Sequence, residues 1–202
     1  MEIKLGDLCG ISMTGVILTR IQIKDESLVK NEETDVGKVL VPKAITNGRV
    51  SHRDIAEYVI KKGSGQGRMT VVDDIVVKLT TPYECALITM EDEDLIVPSY
   101  CVILREFDPK EIDLDYLVGY LNTEYARQQL VTRVAASSNS MIKMKDIHEI
   151  PVPVLPMEEQ KYLGRLYRIS AEKQMLLKEI LENEIKLADS LITTAVLREV
   201  TK

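Results

Sequence analysis

Short apolar runs, rich in Val and Ile, recur along the first half of the chain. They cover residues 39–41, 71–79, 85–90 and 96–104, with turn-forming residues between them. Runs of this length and composition are typical of β-strands. Apolar positions then recur at helical spacing between Asp113 and Val134, which predicts one helix capped by Asp113 or Asp115. The pattern predicts a mixed, strand-rich α+β domain.

The remainder of the chain carries a different pattern. Prolines alternate with apolar residues in 150–156, which favours an extended segment. Glu158 and Glu159 then suit the first turn of a helix, and no proline follows before Lys202. About 42 helical residues would span about 63 Å, more than a domain of this size can cover. We therefore predict two parts, a domain at 1–156 and a long helix at 157–202.

An apolar stripe runs along the predicted helix and is interrupted at Lys173 and Glu184. Eight basic and eight acidic residues flank it, a balance typical of helices that pair with another helix. The helix could instead fold back on its own domain, but its length favours pairing. The residues predicted to make the pairing surface are Leu163, Leu166, Ile169, Leu177, Ile180, Leu187 and Leu191.

Charge is partitioned along a chain whose formal net charge is −6. Residues 38–68 have a local balance of +5, and residues 73–115 have one of −9. The basic segment could face nucleic-acid phosphates while the acidic segment faces away from them. Both segments could equally be solvated loops and edges, so charge alone leaves DNA binding open.

Several classes of function are disfavoured. No apolar run is long enough to cross a membrane and no secretory leader is present, so we expect a cytoplasmic protein. The isolated Cys9, Cys85 and Cys101 suit buried thiols, and His52 and His148 lack metal-ligand spacing. The glycine-rich stretch 62–68 lacks the Lys-Ser/Thr of a nucleotide-binding loop. The sequence predicts no catalytic residue, metal or cofactor, and hence no enzyme.

The combination of these elements resembles the specificity subunits of type I restriction-modification systems. The segments on which this resemblance rests are Lys4-Leu5-Gly6-Asp7-Leu8, Asp73-Asp74-Ile75-Val76-Val77, Val97-Pro98-Ser99, Leu117 to Thr123, Ile142 to Ile147 and Ile150 to Gln160. The last of these, punctuated by proline and ending in Glu-Gln at the start of a long helix, is the most specific. Where that family usually has Gly-Asp-Ile, this chain has Asp73 in place of the glycine.

The resemblance implies one target-recognition domain and one helix, half of a subunit that has two of each. It implies that the domain binds a DNA half-site and that the helix pairs as an antiparallel coiled coil with a second copy or with another specificity chain. Modification (methyltransferase) subunits and restriction subunits would join that assembly. A symmetric dimer would recognise a palindromic, interrupted target in double-stranded DNA.

Candidate DNA-contacting residues are chosen by chemistry, as cations that seek phosphate and amides or guanidiniums that suit base edges. In the basic segment they are Lys43, Asn47, Arg49, Arg53, Lys61, Lys62, Gln66 and Arg68, and a second, weaker patch holds Ser138, Asn139, Lys143 and Lys145.

Two other functions remain open from the sequence. The acidic 73–115 segment could make the protein an adaptor or a DNA-mimicking decoy that does not bind DNA itself. Asp73, Asp74 and the run 91–94 could alternatively hold a nuclease metal, which is the least favoured interpretation.

Overall fold

The computed structural model describes residues 1–23, 34–135 and 141–200, and within them the side chains of all but 134, 135, 199 and 200. Ten strands and six α-helices lie in the described part. In chain order they are β1 Glu2–Lys4, α1 Leu5–Leu8, β2 Cys9–Thr14, α2 Leu18–Ile21, β3 Thr34–Val39, β4 Ile45–Thr46, β5 Arg49–Val50, β6 Ala56–Lys61, β7 Ile75–Lys78, β8 Cys85–Leu87, β9 Cys101–Phe107, α3 Leu114–Leu121, α4 Glu124–Ala135, α5 Met144–His148, β10 Pro151–Pro153 and α6 Met157–Val200.

A four-stranded antiparallel sheet in the order β2-β9-β7-β8 forms the centre of the domain. Ile75 and Val77 of β7 pack on one face, with α1, α3 and α5, and Val76 packs on the other face, below β4 and β5. Both faces are buried, which is why these strands read as continuous apolar runs and not as alternating ones. The α+β class predicted from the sequence is confirmed.

Smaller two-stranded units complete the domain. β3 and β6 form a ribbon attached through Ile96, and β4 and β5 form a hairpin whose turn is Asn47-Gly48. Asn47 and Gly48 both have positive φ, as a two-residue hairpin turn requires. β1 pairs with β10, so the proline-punctuated segment is extended, as predicted, and closes the domain next to its first strand.

The single helix predicted over 113–134 is wrong in one respect, because the structure has two helices there, α3 and α4. The break lies at Asn122 and Thr123. The Asn122 side chain accepts from the Cys85 backbone N–H and donates to the Cys85 carbonyl, while the Thr123 hydroxyl accepts from Ala126 N. Apolar spacing cannot reveal this break, because the periodicity continues across it.

Candidate functional site

The long helix α6 begins at Met157 and docks on α3 over its first turns. Gln160, which is fully buried, accepts a hydrogen bond from Asp113 N and donates to the carbonyls of Glu111 and Leu155. Gly164 follows one turn later and lies so close to α3 that a Cβ there would be 2.5 Å from Asp113 Oδ1. Small and amide side chains therefore allow the helix to approach α3 closely.

Tyr167 anchors the next turn of α6. Its ring lies against Gly119 of α3 and Gly48 of the β4–β5 hairpin, where any added Cβ would be within 3 Å of it. Burial raises the pKa of the Tyr167 phenol, so the group stays neutral at physiological pH. Ala171, 2% exposed, is the last α6 residue buried against the domain.

Beyond Ala171 the helix is separated from the domain by a groove of about 910 Å³. Asn47, Arg49, His52 and Arg53 lie on the domain wall of the groove, and the α6 wall is formed by Glu172, Met175, Leu176, Lys178 and Glu179. At its far end Arg53 donates to both carboxylate oxygens of Glu182, at 2.6 and 3.4 Å. Described residues from 183 onward on α6 are exposed. The helix therefore extends past the domain.

Two of the predicted DNA contacts, Arg49 and Arg53, are held in ion pairs beside this docking surface. Arg49 pairs with Asp115 of α3 at 2.8 Å, and Arg168 of α6 approaches the same carboxylate at 3.5 Å. Only 13% of the Arg49 side chain is exposed. Arg49 and Arg53, together with Asn47 in its hairpin turn, therefore hold or border the helix–domain junction. These pairings could not be predicted from local sequence, since the partners are 66 and 129 positions away.

Lys43 lies beside the same junction. Its ammonium is 2.6 Å from Asp54 Oδ1, and the Ser51 hydroxyl donates to Asp54 Oδ2. The hydrogen bond from Lys43 holds the pKa of the Asp54 carboxyl below its ordinary value, and the one from Ser51 adds to this. The Lys43 side chain is nevertheless 82% exposed, so it can reach other anions.

The other basic-segment residues cluster elsewhere, around the end of the β3–β6 ribbon. Lys61 ends β6, and Lys62 and Gln66 are exposed in the loop that follows. Gly63, Gly65 and Gly67 all have positive φ, a conformation that side chains disfavour, so the loop needs its glycines. Arg68 is half-buried, with its guanidinium 3.0 Å from Met13 Sδ.

The second predicted patch is only partly described. Lys143 and Lys145 are exposed at the start of α5, where Lys143 N donates to Asp146 Oδ2. Ser138 and Asn139 lie outside the described residues.

Several carboxylates of the acidic segment 73–115 are paired within the protein and are not available to bind another molecule. Asp74 is fully buried and accepts from Arg105 Nε and Nη2 at 2.6 and 2.7 Å. Glu84 pairs with Lys78, and Asp92 lies 2.9 Å from His52 Nε2. Three of the twelve acids in 73–115, namely Asp74, Glu84 and Asp115, thus pair with a lysine or arginine of the same domain.

The pairing of Asp74 bears on the metal-dependent nuclease that was considered from the sequence. Both carboxylate oxygens of Asp74 accept hydrogen bonds from Arg105, and the described residues contain no cluster of three or more His, Cys, Asp or Glu that could bind a metal. They also include no helix both long and apolar enough to cross a membrane.

The predicted pairing surface is divided by the structure. Leu163 packs against the core of its own domain. The other six predicted residues, Leu166, Ile169, Leu177, Ile180, Leu187 and Leu191, are 55–63% exposed on the opposite side of α6. Helical periodicity puts this outer stripe roughly opposite Gln160, Gly164 and Ala171, so docking on the domain leaves it uncovered.

Comparison with known proteins gives a structural likeness only. No protein-family model and no curated protein matches the sequence. Among solved structures, the HsdS subunit from Thermoanaerobacter tengcongensis matches with a TM-score of 0.57 and 16% identity. A chain from a study of complex assembly and conformational transition in the type I R-M system matches with a TM-score of 0.56 and 17% identity.

Each match covers 98% of this chain and 47% of the other, so the chain spans about half the length of the structures it matches. The resemblance stated from the sequence is thereby confirmed at the level of the fold, long helix included. This chain has the fold of about half of a type I restriction-modification specificity subunit.

Proposed function

We propose that this protein is a DNA-specificity subunit of a type I restriction-modification system, in a form with one recognition domain and one pairing helix. The observation that carries the proposal is the match of 98% of the chain, domain and helix together, to half of such subunits. A domain alone could be shared by many functions, but this domain with a helix protruding from it is a specific combination.

In this proposal the domain binds a half-site of double-stranded DNA. The cations at the ribbon end, Lys61 and Lys62, are exposed, as is Gln66 in the adjacent loop. Lysines suit phosphates and glutamine suits an adenine edge, so this loop is the best supported contact surface. Arg49 and Arg53 are better explained by internal ion pairs, since Arg49 pairs with Asp115 of α3 and Arg53 pairs with Glu182 of α6.

The helix α6 serves in this proposal as the spacer between two half-sites. Its outer stripe pairs with a second helix, and the modification and restriction subunits assemble on the resulting pair. The protein itself performs no chemistry; methyl transfer and cleavage belong to those partners, and the protein functions in the cytoplasm.

Co-expression with the modification subunit of a type I system from the same genome tests the proposal. We expect methylated bases, mapped by single-molecule sequencing of the host DNA, at one interrupted palindrome that disappears when this chain is omitted. The proposal is overturned if the two proteins together produce no site-specific methylation and retain no duplex DNA at low salt.

The decoy alternative makes the opposite prediction in the same experiment. A DNA mimic would lower methylation by a DNA-binding protein without directing it to any sequence. The ion pairs of Asp74, Glu84 and Asp115 neutralise three of the twelve acids in 73–115, which lowers the negative charge that a mimic would present.

A further inference from the structure

The groove between α6 and the domain contains apolar side chains that remain exposed. Met90 on the domain wall is 81% exposed and Leu176 on the α6 wall is 60% exposed, with Met175 beside it. Methionine side chains adapt their shape to a partner, and adjoining exposed apolar residues are typical of protein contact surfaces. The groove therefore offers an apolar surface on which another molecule could pack.

The unpaired charges that line the groove are mostly acidic. Arg49 and Arg53 are already held in ion pairs. Lys178 is then the remaining Lys or Arg of the lining, and it faces four acids, which are Glu91, Asp92, Glu172 and Glu179. None of the three glutamates has an ion pair with another residue of the described chain. Such a lining attracts cations and repels nucleic-acid phosphates.

Asp92 adds a buried carboxylate oxygen that accepts no hydrogen bond. Its Oδ2 accepts from the backbone N–H and the hydroxyl of Thr89, whereas its Oδ1 accepts none from the described residues. His52 Nε2 lies 2.9 Å from Oδ1 but not in the direction that a hydrogen bond requires, and about half of the His52 side chain is exposed. Leaving a buried carboxylate oxygen without a donor is costly, so a cationic donor that displaced His52 from the groove would be stabilised there.

The spacing of two acids on the α6 wall indicates the shape of the ligand. Glu172 and Glu179 are seven positions apart, about two turns or about 10.5 Å, with Met175 and Leu176 between them. A second helix whose cations are also seven positions apart would meet both carboxylates, and its apolar residues would then contact the apolar side chains of the groove.

The length of the groove also suits a helix better than a compact ligand. It extends along α6 from the buried Ala171 to the Arg53–Glu182 ion pair. These limits are eleven positions apart, which is about 16 Å or about three helical turns.

We propose that the groove binds an amphipathic helix of a partner protein, one with an apolar face and with Lys or Arg at two positions seven apart. Charge complementarity selects this occupant, because the lining is acidic and Asp92 lacks a donor. The site faces the domain, whereas the outer stripe of α6 faces away from it. A helix bound there would fill the gap between α6 and the domain, and would thus fix the direction in which α6 leaves the domain.

Two synthetic peptides test the proposal on the full-length chain in the absence of DNA. Each is a helix-forming peptide of about four turns with leucines on one face; one has two lysines seven positions apart, and the other has glutamates at those two positions. We expect the lysine peptide to bind at least about tenfold more tightly in fluorescence anisotropy. In methyl NMR of the methionines it should shift Met90 and Met175, which line the groove, and leave Met13 and Met69 unchanged.

Charge reversal on α6 provides the matched test. The double variant E172K/E179K should reverse the preference and bind the glutamate peptide at least about tenfold more tightly than the lysine peptide. The double variant E184K/D189K makes the same change in net charge at exposed positions of α6 beyond the groove, and should keep the wild-type preference. D92N, which retains an acceptor for Thr89, should weaken binding of the lysine peptide by about three- to tenfold. Circular dichroism confirms that each variant keeps its helix.

The proposal is overturned if the two peptides bind with equal affinity, if E172K/E179K keeps the wild-type preference, or if only methionines outside the groove shift. It is also overturned if the Met90 and Met175 signals move with protein concentration in the absence of peptide, because the occupant would then be a second copy of this chain. None of these results bears on the proposed DNA recognition, which the methylation experiment tests separately.

Discussion

The guanidinium of Arg53 lies 2.6 Å from the carboxylate of Glu182, at the point where α6 leaves its own domain. Between this pair and the buried Ala171 the helix borders a groove of about 910 Å³ and is not packed on the domain. The pair is therefore a second support that limits how far the helix can tilt about its docked first turns.

Arg53→Ala should loosen the helix without unfolding the protein. The two side chains are 42% and 37% exposed, and exposed ion pairs contribute about 0.2–1 kcal/mol. We expect the free energy of unfolding to change by less than about 1 kcal/mol, and amide exchange between residues 175 and 187 to speed up by about two- to fivefold.

Mass-spectrometric hydrogen exchange measures this effect. Lys178→Ala, which removes another cation from the groove wall, is the matched control and should exchange like wild type. High salt should reduce the difference between Arg53→Ala and wild type, because salt screens exposed pairs. If Arg53→Ala and wild type exchange at the same rate at low salt, the Arg53–Glu182 ion pair does not hold the helix.

Gly164→Ala should destabilise the protein although alanine is the better helix former. A Cβ at this position would be 2.5 Å from Asp113 Oδ1 and 2.8 Å from Tyr116 N, the two atoms of the α3 cap. We expect a loss of about 1–3 kcal/mol by overpacking, measured by denaturant unfolding. Ser170→Ala, at an exposed position of the same helix, should be neutral or slightly stabilising. A stabilised Gly164→Ala would mean that the helices are not in close contact.

Lys43→Met should make the free energy of unfolding depend less on pH in the acid range. Lys43 is the largest cause of the lowered pKa of Asp54, and a carboxyl with a lowered folded-state pKa stabilises the fold above its unfolded pKa. This stabilisation is lost as the pH falls through the folded pKa, below about 4. The variant should therefore be less stable than wild type at pH 7, and the two should converge once the pH falls below the folded-state pKa of Asp54.

Unfolding at a series of pH values, with the Asp54 carboxyl followed by NMR, checks both parts of this prediction. Lys145→Met, at an exposed lysine of α5, is the control. An unchanged Asp54 titration in Lys43→Met would assign the shift to Ser51 instead.

The sequence predicted the elements whose pattern is local. The run 71–79 contains β7, and the absence of proline after Pro156 predicted α6 because helix continuity depends only on neighbouring residues. The break at Asn122 escaped prediction because its cause is a contact with Cys85, 37 positions away.

The candidate site illustrates the same limit. Residue type alone grouped Arg49 and Arg53 with Lys61 and Lys62 as cations of one segment. The fold separates them, because Asp115 and Glu182 approach the first two from α3 and α6. A charge count cannot distinguish an arginine that binds a helix from one that is available to DNA.

The end of β6 and the loop after it are where the proposed DNA contact can be tested most directly, because Lys61 and Gln66 are both exposed there. If Lys61 contacts a phosphate, Lys61→Ala should weaken binding to the mapped target and to unrelated duplexes alike, and reduce the slope of log K against log salt by about 0.9. Gln66→Ala should instead weaken binding to the target more than to unrelated DNA, by about 1–3 kcal/mol, since an amide contact to a base edge carries sequence information. Lys186→Ala, an exposed lysine on α6, should leave both quantities unchanged. Equal behaviour of Lys61→Ala and Lys186→Ala would remove the loop from the interface, and the exposed Lys143 and Lys145 would then be the next side chains to test.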